Sequence, residues 1–273
     1  DEEIKKKLTD IANSIGAEAF FYTQEVAEGT AHAVACAGEL LNGKVTVAFS
    51  DTLFRANFTL STEEDGIIWT KKVDDPSAFG VVKLDQQGVI TDFVEKPKSF
   101  VSDQAIIGIY YFQEGRELGK EIDYLIEHDI RGGGEFQLTM ALEGLRKKGK
   151  RFKSSIVDDW LDCGNKEVTV QSNSVYLNFL KTEDMKDSST VLDNVEIIEP
   201  VVIGKNNKIR NSRIGPNVSI GDNCDMADVN LDNSLIQDSC QLKSVTFSNS
   251  MIGNHVKVHG QPTSVSLGDY SEW

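Results

Sequence analysis

The chain has 273 residues, 40 % of them hydrophobic, and a formal net charge of −15. That length and apolar content suffice for one large domain plus a smaller one, each with a core, and exclude a disordered chain. The acidic balance excludes general binding to nucleic acid or to an anionic membrane surface, and the longest apolar runs, such as Ala105 to Phe112, are far too short to span a bilayer.

In chain order, "EEIKKKLTDIANSIG" sets Ile4, Leu8, Ile11, Ala12 and Ile15 at helical spacing, with Gly16 as the stop. The chain opens at Asp1 already inside this helix, without an initiator Met, a signal peptide or a leading strand. This predicts either a preceding segment in the natural protein or a fragment. "AEAFFYTQ" reads as a strand, "GTAHAVACAGELL" as an alanine-rich helix and "VTVAF" as a β-branched strand. "GIIWTKKV", "AFGVVKLD" and "VITDFVEKP" read as a meander of half-buried strands, with a turn at Asp85 to Gly88. A fully apolar strand, "AIIGIYYF", follows. Next come two amphipathic helices, "GRELGKEIDYLIEHD" and "EFQLTMALEGLRKKG", then strand and turn in "RFKSSIVDDWLDCG", and a last helix in "NKEVTVQSNSVYLNFL". Alternation of this kind predicts an α/β domain, residues 1–181, with a mixed, mostly parallel Rossmann-like sheet covered on both faces. The basic run Arg146 to Lys153 reads as a solvated helix end.

From about Val191 helical periodicity stops and a phrase recurs: "IGKNNKI", "IGPNVSI", "IQDSCQL", "IGNHVKV". Aliphatic residues stand six apart at Ile203/Ile209, Ile214/Ile220, Ile236/Leu242 and Ile252/Val258, with Asn, Gly, Asp and Ser between. This hexapeptide pattern predicts a parallel β-helix over 191–260, one aliphatic per side pointing inward and small polar residues at the corners. Residues 261–273 read as a polar tail. The cysteines, Cys36, Cys163, Cys224 and Cys240, form no C-x-x-C pair, which predicts free thiols in a reducing, cytoplasmic compartment. The histidines, His32, His128, His255 and His259, have no zinc-site spacing.

Ligands of open α/β sheets bind beyond the carboxyl ends of the strands. Gln24 ends one such strand, and its amide can read a base edge. Gly29-Thr30 opens the next helix, where glycine admits close approach and free N–H groups can donate. Asp51 follows "VTVAF", and Glu95 and Lys96 end "VITDFVEKP". Asp162 ends another strand, in "WLDCG". Two aspartates from separate strand ends suit Mg²⁺, Lys96 suits a phosphate, and Glu95 suits sugar hydroxyls. Taken singly, Asp51 also reads as a turn residue, Glu95-Lys96 as solvated neighbours, Asp162 as a turn cap and His32 as a packed histidine.

Taken in order, "QEVAEGTAHAV", "VAFSDTLF", "AFGVVKLDQQGVITDFVEKP", "AIIGIYYF", "GEFQLTMAL" and "WLDCGN" resemble the sugar-1-phosphate nucleotidyltransferases, or NDP-sugar pyrophosphorylases, over roughly residues 20 to 180. Several subfamilies of that group carry a C-terminal left-handed β-helix. The resemblance implies transfer of a nucleotidyl group from a nucleoside triphosphate to a sugar 1-phosphate, with release of pyrophosphate. It also implies Mg²⁺ on Asp51 and Asp162, base recognition by Gln24, Gly29 and Thr30, and sugar-phosphate contacts from Gly80, Glu95, Lys96 and the backbone of Ile107. Asp51, Asp162 and Lys96 are the implied catalytic set. A homo-oligomer joined through the β-helix is expected. The family's opening G-G-x-G-T-R loop is not found in this sequence, so turnover by this chain alone is put in doubt. A non-catalytic regulatory or oligomerisation subunit on the same scaffold is therefore kept open. So is an acyltransferase built on the β-helix, with His255 or His259 as base.

Overall fold

The computed structural model describes residues 2–57, 64–180, 186–260 and 264–272. The chain divides into two compact units, Asp1–Phe49 with Arg55–Asp159, and Ser50–Phe54 with Trp160–Trp273.

The first unit begins with α1 (Glu2–Ser14), which ends before Gly16 at φ 75, a conformation glycine adopts without penalty. Its apolar stripe is present, but Ile4, Leu8, Ile11 and Ile15 are all exposed and the helix buries none of its residues. The strand expected at "AEAFFYTQ" does not form, and Phe20, Phe21 and Tyr22 are exposed. A strand exists only where a neighbour takes its N–H and C=O groups, and none pairs with this segment among the described residues. The alanine-rich helix is short, α2 (Thr30–Ala35) followed by a 3₁₀ turn at Gly38–Leu40.

The sheet contains β1 (Val45–Ala48), β3 (Gly66–Lys72), β4 (Gly80–Leu84), β5 (Ile90–Glu95), β6 (Gln104–Phe112) and β7 (Phe152–Ile156); β2 (Thr52–Arg55) lies outside it. Its order is β5-β4-β6-β3-β7, with β1 also on β6. The α/β class is as expected, but the sense of the ladders is not mostly parallel. Only β3·β7 is parallel, while β1·β6, β3·β6, β4·β5 and β4·β6 are antiparallel among the described residues. The cause is local. β4 and β5 are joined at Asp85–Gly88, where Asp85 accepts from Gln87 N and Val89 N, and a connection that short closes only an antiparallel hairpin. α3 (Gly115–Glu127) and α4 (Leu138–Lys147) bury Leu118, Ile122, Leu138 and Leu142 in the same core as Ile68, Phe93, Phe112 and Phe152. Phe152 packs edge-on against Phe93 at 5.7 Å and Phe112 at 6.2 Å. The basic run behind α4 is tied to carboxylates, Arg146 to Glu143 at 2.7 Å and Lys150 to Asp65 at 3.3 Å, with Lys148 on Glu121.

In the second unit β2 pairs with β8 (Asp159–Asp162), and α5 (Lys166–Leu177) is capped by the Asn165 side chain, which accepts from Val168 N. The remainder, from β9 (Val191–Ile197) to β20 (Ser266–Leu267), is a parallel β-solenoid. Buried aliphatics stack from coil to coil, Ile203 under Ile220, Ile236 and Ile252, and Ile209 under Met226, Leu242 and Val258. The four pairs picked by sixfold spacing all lie in this core. The coil, however, is 15–17 residues long, as the corner bonds from Lys205 to Asp222, Asp222 to Asp238, Asp238 to Asn254 and Asn254 to Asp269 show, because sides that advance only five residues, such as Ile209 to Ile214, Met226 to Leu231 and Leu231 to Ile236, stand among those that advance six. Corners fall at residues of positive φ, among them Asn194, Asn211, Asn206, Asn223, Asn217 and Asn233, the residue type that tolerates the left-handed region best after glycine. Their side chains form ladders, with Asn194 donating to Asn211 at 2.9 Å and Asn217 to Asn233 at 2.8 Å. The segment read as a polar tail adds a further rung, β20 on β18 (Met251–Ile252).

Candidate active site

In the first unit two groups of the predicted residues come together. Gln24 folds back so that its Nε2 lies 3.1 Å from the Gly29 carbonyl and 3.0 Å from His32 Nδ1. Gly29 has φ 108, and a Cβ there would lie 2.6 Å from the Phe136 carbonyl oxygen, so glycine is required by a backbone crossing. The Thr30 hydroxyl accepts from Leu138 N at 2.9 Å and donates to Gln137 Oε1 at 3.2 Å. It thereby satisfies one of the unpaired donors at the start of α4.

One residue further along α4, Thr139 donates to Glu95 Oε2 at 2.7 Å. Glu95 is the cross-strand partner of Gly80. A Cβ at Gly80 would lie 2.9 Å from Thr139 Cγ2 and 3.1 Å from Glu95 Oε2, so the glycine leaves the carboxylate its place. Burial, and then the Glu95 charge, push the Tyr110 phenol well above its ordinary range, so it stays protonated. The start of α4 thus ties both groups together through Gln137, Leu138 and Thr139.

Lys96, between Glu95 and Pro97, has φ 39. A residue before proline favours extended backbone, so this is a strained position of the kind that clusters at functional sites. Its ammonium has no ion pair among the described residues. Ile107 is buried in β6 beside Gly108, which has φ 82.

In the second unit Asp51 and Asp162 converge. Cys163 N donates to the Asp51 carbonyl at 2.8 Å, and Gly164 N donates to Asp162 Oδ1 at 2.8 Å. A Cβ on Gly164 would sit 3.1 Å from Asp162 Oδ1 and 3.7 Å from Asp51 Oδ2. Burial, then Asp162 and Asp51, raise the Cys163 thiol above its ordinary value. Neither aspartate has an ion pair among the described residues. An all-oxygen pair beside a glycine fits Mg²⁺, which takes one or two carboxylates and keeps several waters. No cluster of three or more His, Cys, Asp or Glu suited to a metal forms among the described residues. His255 stacks on Tyr270 at 4.7 Å, and no side-chain hydrogen bond to the ring of His255 or His259 is made among the described residues.

The residues missed by sequence reasoning are Thr139 and His32 in its bonding role. Thr139 stood inside the quoted "GEFQLTMAL" block, but nothing local says that its hydroxyl meets a strand end 44 residues earlier.

The profile of the nucleotidyl transferase family matches residues 1–178. The chain is 34 % identical over 167 residues to a glucose-1-phosphate thymidylyltransferase of Streptomyces antibioticus, covering 56 % of this chain and 46 % of that protein. It is 27 % identical over 259 residues to the low-salt glycan biosynthesis nucleotidyltransferase Agl11 of Haloferax volcanii, covering 86 % and 71 %. It is also 31 % identical over 184 residues to the bifunctional protein GlmU of Methanococcus aeolicus, covering 66 % and 43 %. The chain therefore spans about half the length of the first of these relatives. The fold is similar to the crystal structure of a UDP-glucose pyrophosphorylase complexed with UDP-glucose, with TM-score 0.51 and 22 % identity over 66 % of this chain and 74 % of that one. The chain belongs to the nucleotidyl transferase family.

Proposed function

We propose that the protein transfers a nucleotidyl group from a nucleoside triphosphate to a sugar 1-phosphate, giving an NDP-sugar and pyrophosphate. The observation that carries this reading is the pair Asp51 and Asp162, brought from two strand ends onto Gly164 without a cationic partner among the described residues, in a chain of this family. The activities named for the thymidylyltransferase and the nucleotidyltransferase Agl11 support it.

In this reading Asp51 and Asp162 would hold Mg²⁺, and the bound ion supplies charge neutralisation on the phosphates. Lys96 offers a point charge to the sugar phosphate. Glu95, braced by Thr139, accepts from sugar hydroxyls, with Gly80 keeping the space and the Ile107 backbone contributing beside it. Gln24, Gly29 and Thr30 receive the base. Little covalent chemistry falls to the protein in such a displacement; positioning and charge stabilisation supply the rate. We also assign residues 1–181 to the transferase domain and 191–260 to a solenoid that joins subunits. Four free thiols support a reducing, cytoplasmic setting, and no helix among the described residues is long and apolar enough to cross a membrane.

The test is Asp51→Asn and Asp162→Asn. Each is expected to lower turnover at least ~100-fold, the scale of losing a charge-stabilising group. Near-normal rates in both would overturn the assignment.

A further inference from the structure

Asp162 is held at its peptide as well as at its carboxylate. Its Oδ1 accepts from Gly164 N at 2.8 Å, and its carbonyl accepts from the Ser172 hydroxyl at 2.6 Å. Ser172 lies on α5 and is 8 % exposed, so this bond is shielded from water. The next residue, Asn173, is bound at both ends of its amide by the solenoid. Ser219 Oγ donates to its Oδ1 at 2.6 Å, and its Nδ2 donates to the Asn217 carbonyl at 3.3 Å. Asn217 is itself fixed at a corner with φ 60, where its N–H donates to the Pro200 carbonyl at 2.9 Å and its side chain to Asn233 at 2.8 Å. α5 accordingly packs against β12 (Val218–Ile220) and β15 (Ser234–Ile236). Successive residues of a helix project about 100° apart, so Ser172 and Asn173 reach two different neighbours from one turn, and rotation of α5 would break both sets of bonds. Asp51, Asp162, α5 and the solenoid all belong to one compact unit.

We infer that Ser172 and Asn173 are positioning residues for the divalent cation assigned to Asp51 and Asp162. Asn173, clamped by Ser219 and Asn217, sets the rotation of α5 against the solenoid. Ser172 carries that setting to the Asp162 peptide, and so to the direction in which the carboxylate leaves the chain. Neither residue touches the cation; each acts through the residue that would. The solenoid then has a role within its own chain besides the joining of subunits, since its corner at Asn217 supports the carboxylate pair. Outer partners of this kind restrict a ligand to the geometry the ion needs, and their loss typically weakens metal affinity by about 10- to 100-fold. The inference rests on the assignment of Asp51 and Asp162 to a cation, made above under the nucleotidyltransferase reading.

The probe is Mn²⁺, counted as free ion by electron paramagnetic resonance in titrations of the full chain. The proteins compared are the wild type, Asp162→Asn, Ser172→Ala, Ser172→Thr, Asn173→Ala and Ser219→Ala, each also melted thermally. The wild type is expected to bind Mn²⁺ and Asp162→Asn to lose that binding. Ser172→Ala should raise the Kd for Mn²⁺ about 10-fold, and Ser172→Thr, which keeps the hydroxyl, should stay within about twofold of wild type. Asn173→Ala and Ser219→Ala should each raise it about threefold, and their double variant should match Asn173→Ala because both remove one contact. Unchanged Mn²⁺ affinity in Ser172→Ala, whatever its melting temperature, overturns this inference alone. So does an equal weakening in a Ser172→Thr protein that melts like the wild type. Wild-type affinity in both Asn173→Ala and Ser219→Ala overturns the support from the solenoid, and decides the matter where Ser172→Ala does not fold. Failure of the wild type to bind Mn²⁺, or binding that Asp162→Asn retains, overturns the cation assignment and this inference with it.

Discussion

Replacing Thr139 by valine keeps the shape of a buried side chain and removes one hydroxyl. Thr139 is 7 % exposed, and its Oγ1 donates to Glu95 Oε2 at 2.7 Å. A hydrogen bond to a charged acceptor contributes about 1.5–3 kcal/mol. The loss should appear in the orientation of Glu95 rather than in the fold, because the carboxylate can turn towards water when released. If Glu95 contacts the sugar, that energy corresponds to a rise of about 10- to 100-fold in the KM or Kd for sugar 1-phosphate. Calorimetric titration with sugar 1-phosphate, alongside thermal melting, reads both quantities. Unchanged affinity in a folded Thr139→Val protein would refute the chain from α4 through Glu95 to the sugar. A fall in melting temperature without any change in affinity would assign the bond to stability alone.

Gly80→Ala perturbs the same place from the strand side, since its Cβ would sit 3.1 Å from Glu95 Oε2, and sugar-phosphate affinity should fall at least as far as in Thr139→Val, as the same titration reads. In the solenoid, a Cβ on Gly221 would lie 2.2 Å from Asp238 Oδ1, which accepts from Asp222 N at 2.8 Å. Gly221→Ala should therefore lose about 2–4 kcal/mol, seen as a lower melting temperature in calorimetry. Glu143 gives a pH signature. Burial works to raise its carboxyl, but the Arg146 guanidinium and the Phe93 N–H outweigh it and hold the group below its ordinary value of 4.5. A depressed acid stabilises the fold above its unfolded pKa and loses that contribution as pH falls through the folded one. The stability advantage of wild type over Glu143→Gln should thus be full near neutrality and shrink below about pH 4.5, as urea melts at several pH values would show. An advantage independent of pH would refute the ion-pair account.

The solenoid was legible because one inward aliphatic per side leaves a period in the sequence, and Ile203, Ile220, Ile236 and Ile252 do stack. Its coil length was not, because sides that advance five residues, such as Ile209 to Ile214 and Leu231 to Ile236, interrupt the sixfold spacing in each coil. The acidic partners of the basic run were foreshadowed by composition, whereas the ladder senses and the fate of "AEAFFYTQ" depend on which strand lies alongside, and pairing is not written in either strand alone. In the candidate site the residues at strand ends could be named, since a carboxylate after an apolar run stands out, as at Asp51. The residues that orient them could not. His32 and Thr139 act through single hydrogen bonds to Gln24 and Glu95, and only the folded backbone brings them into reach.

The most direct test of the central claim is pyrophosphate release by the purified protein, scanned over nucleoside triphosphates and sugar 1-phosphates with Mg²⁺ present. The account predicts release that requires both substrates together and yields an NDP-sugar in equal amount. Release from a triphosphate without sugar phosphate, or none from any pair while the folded protein binds both substrates, would contradict it.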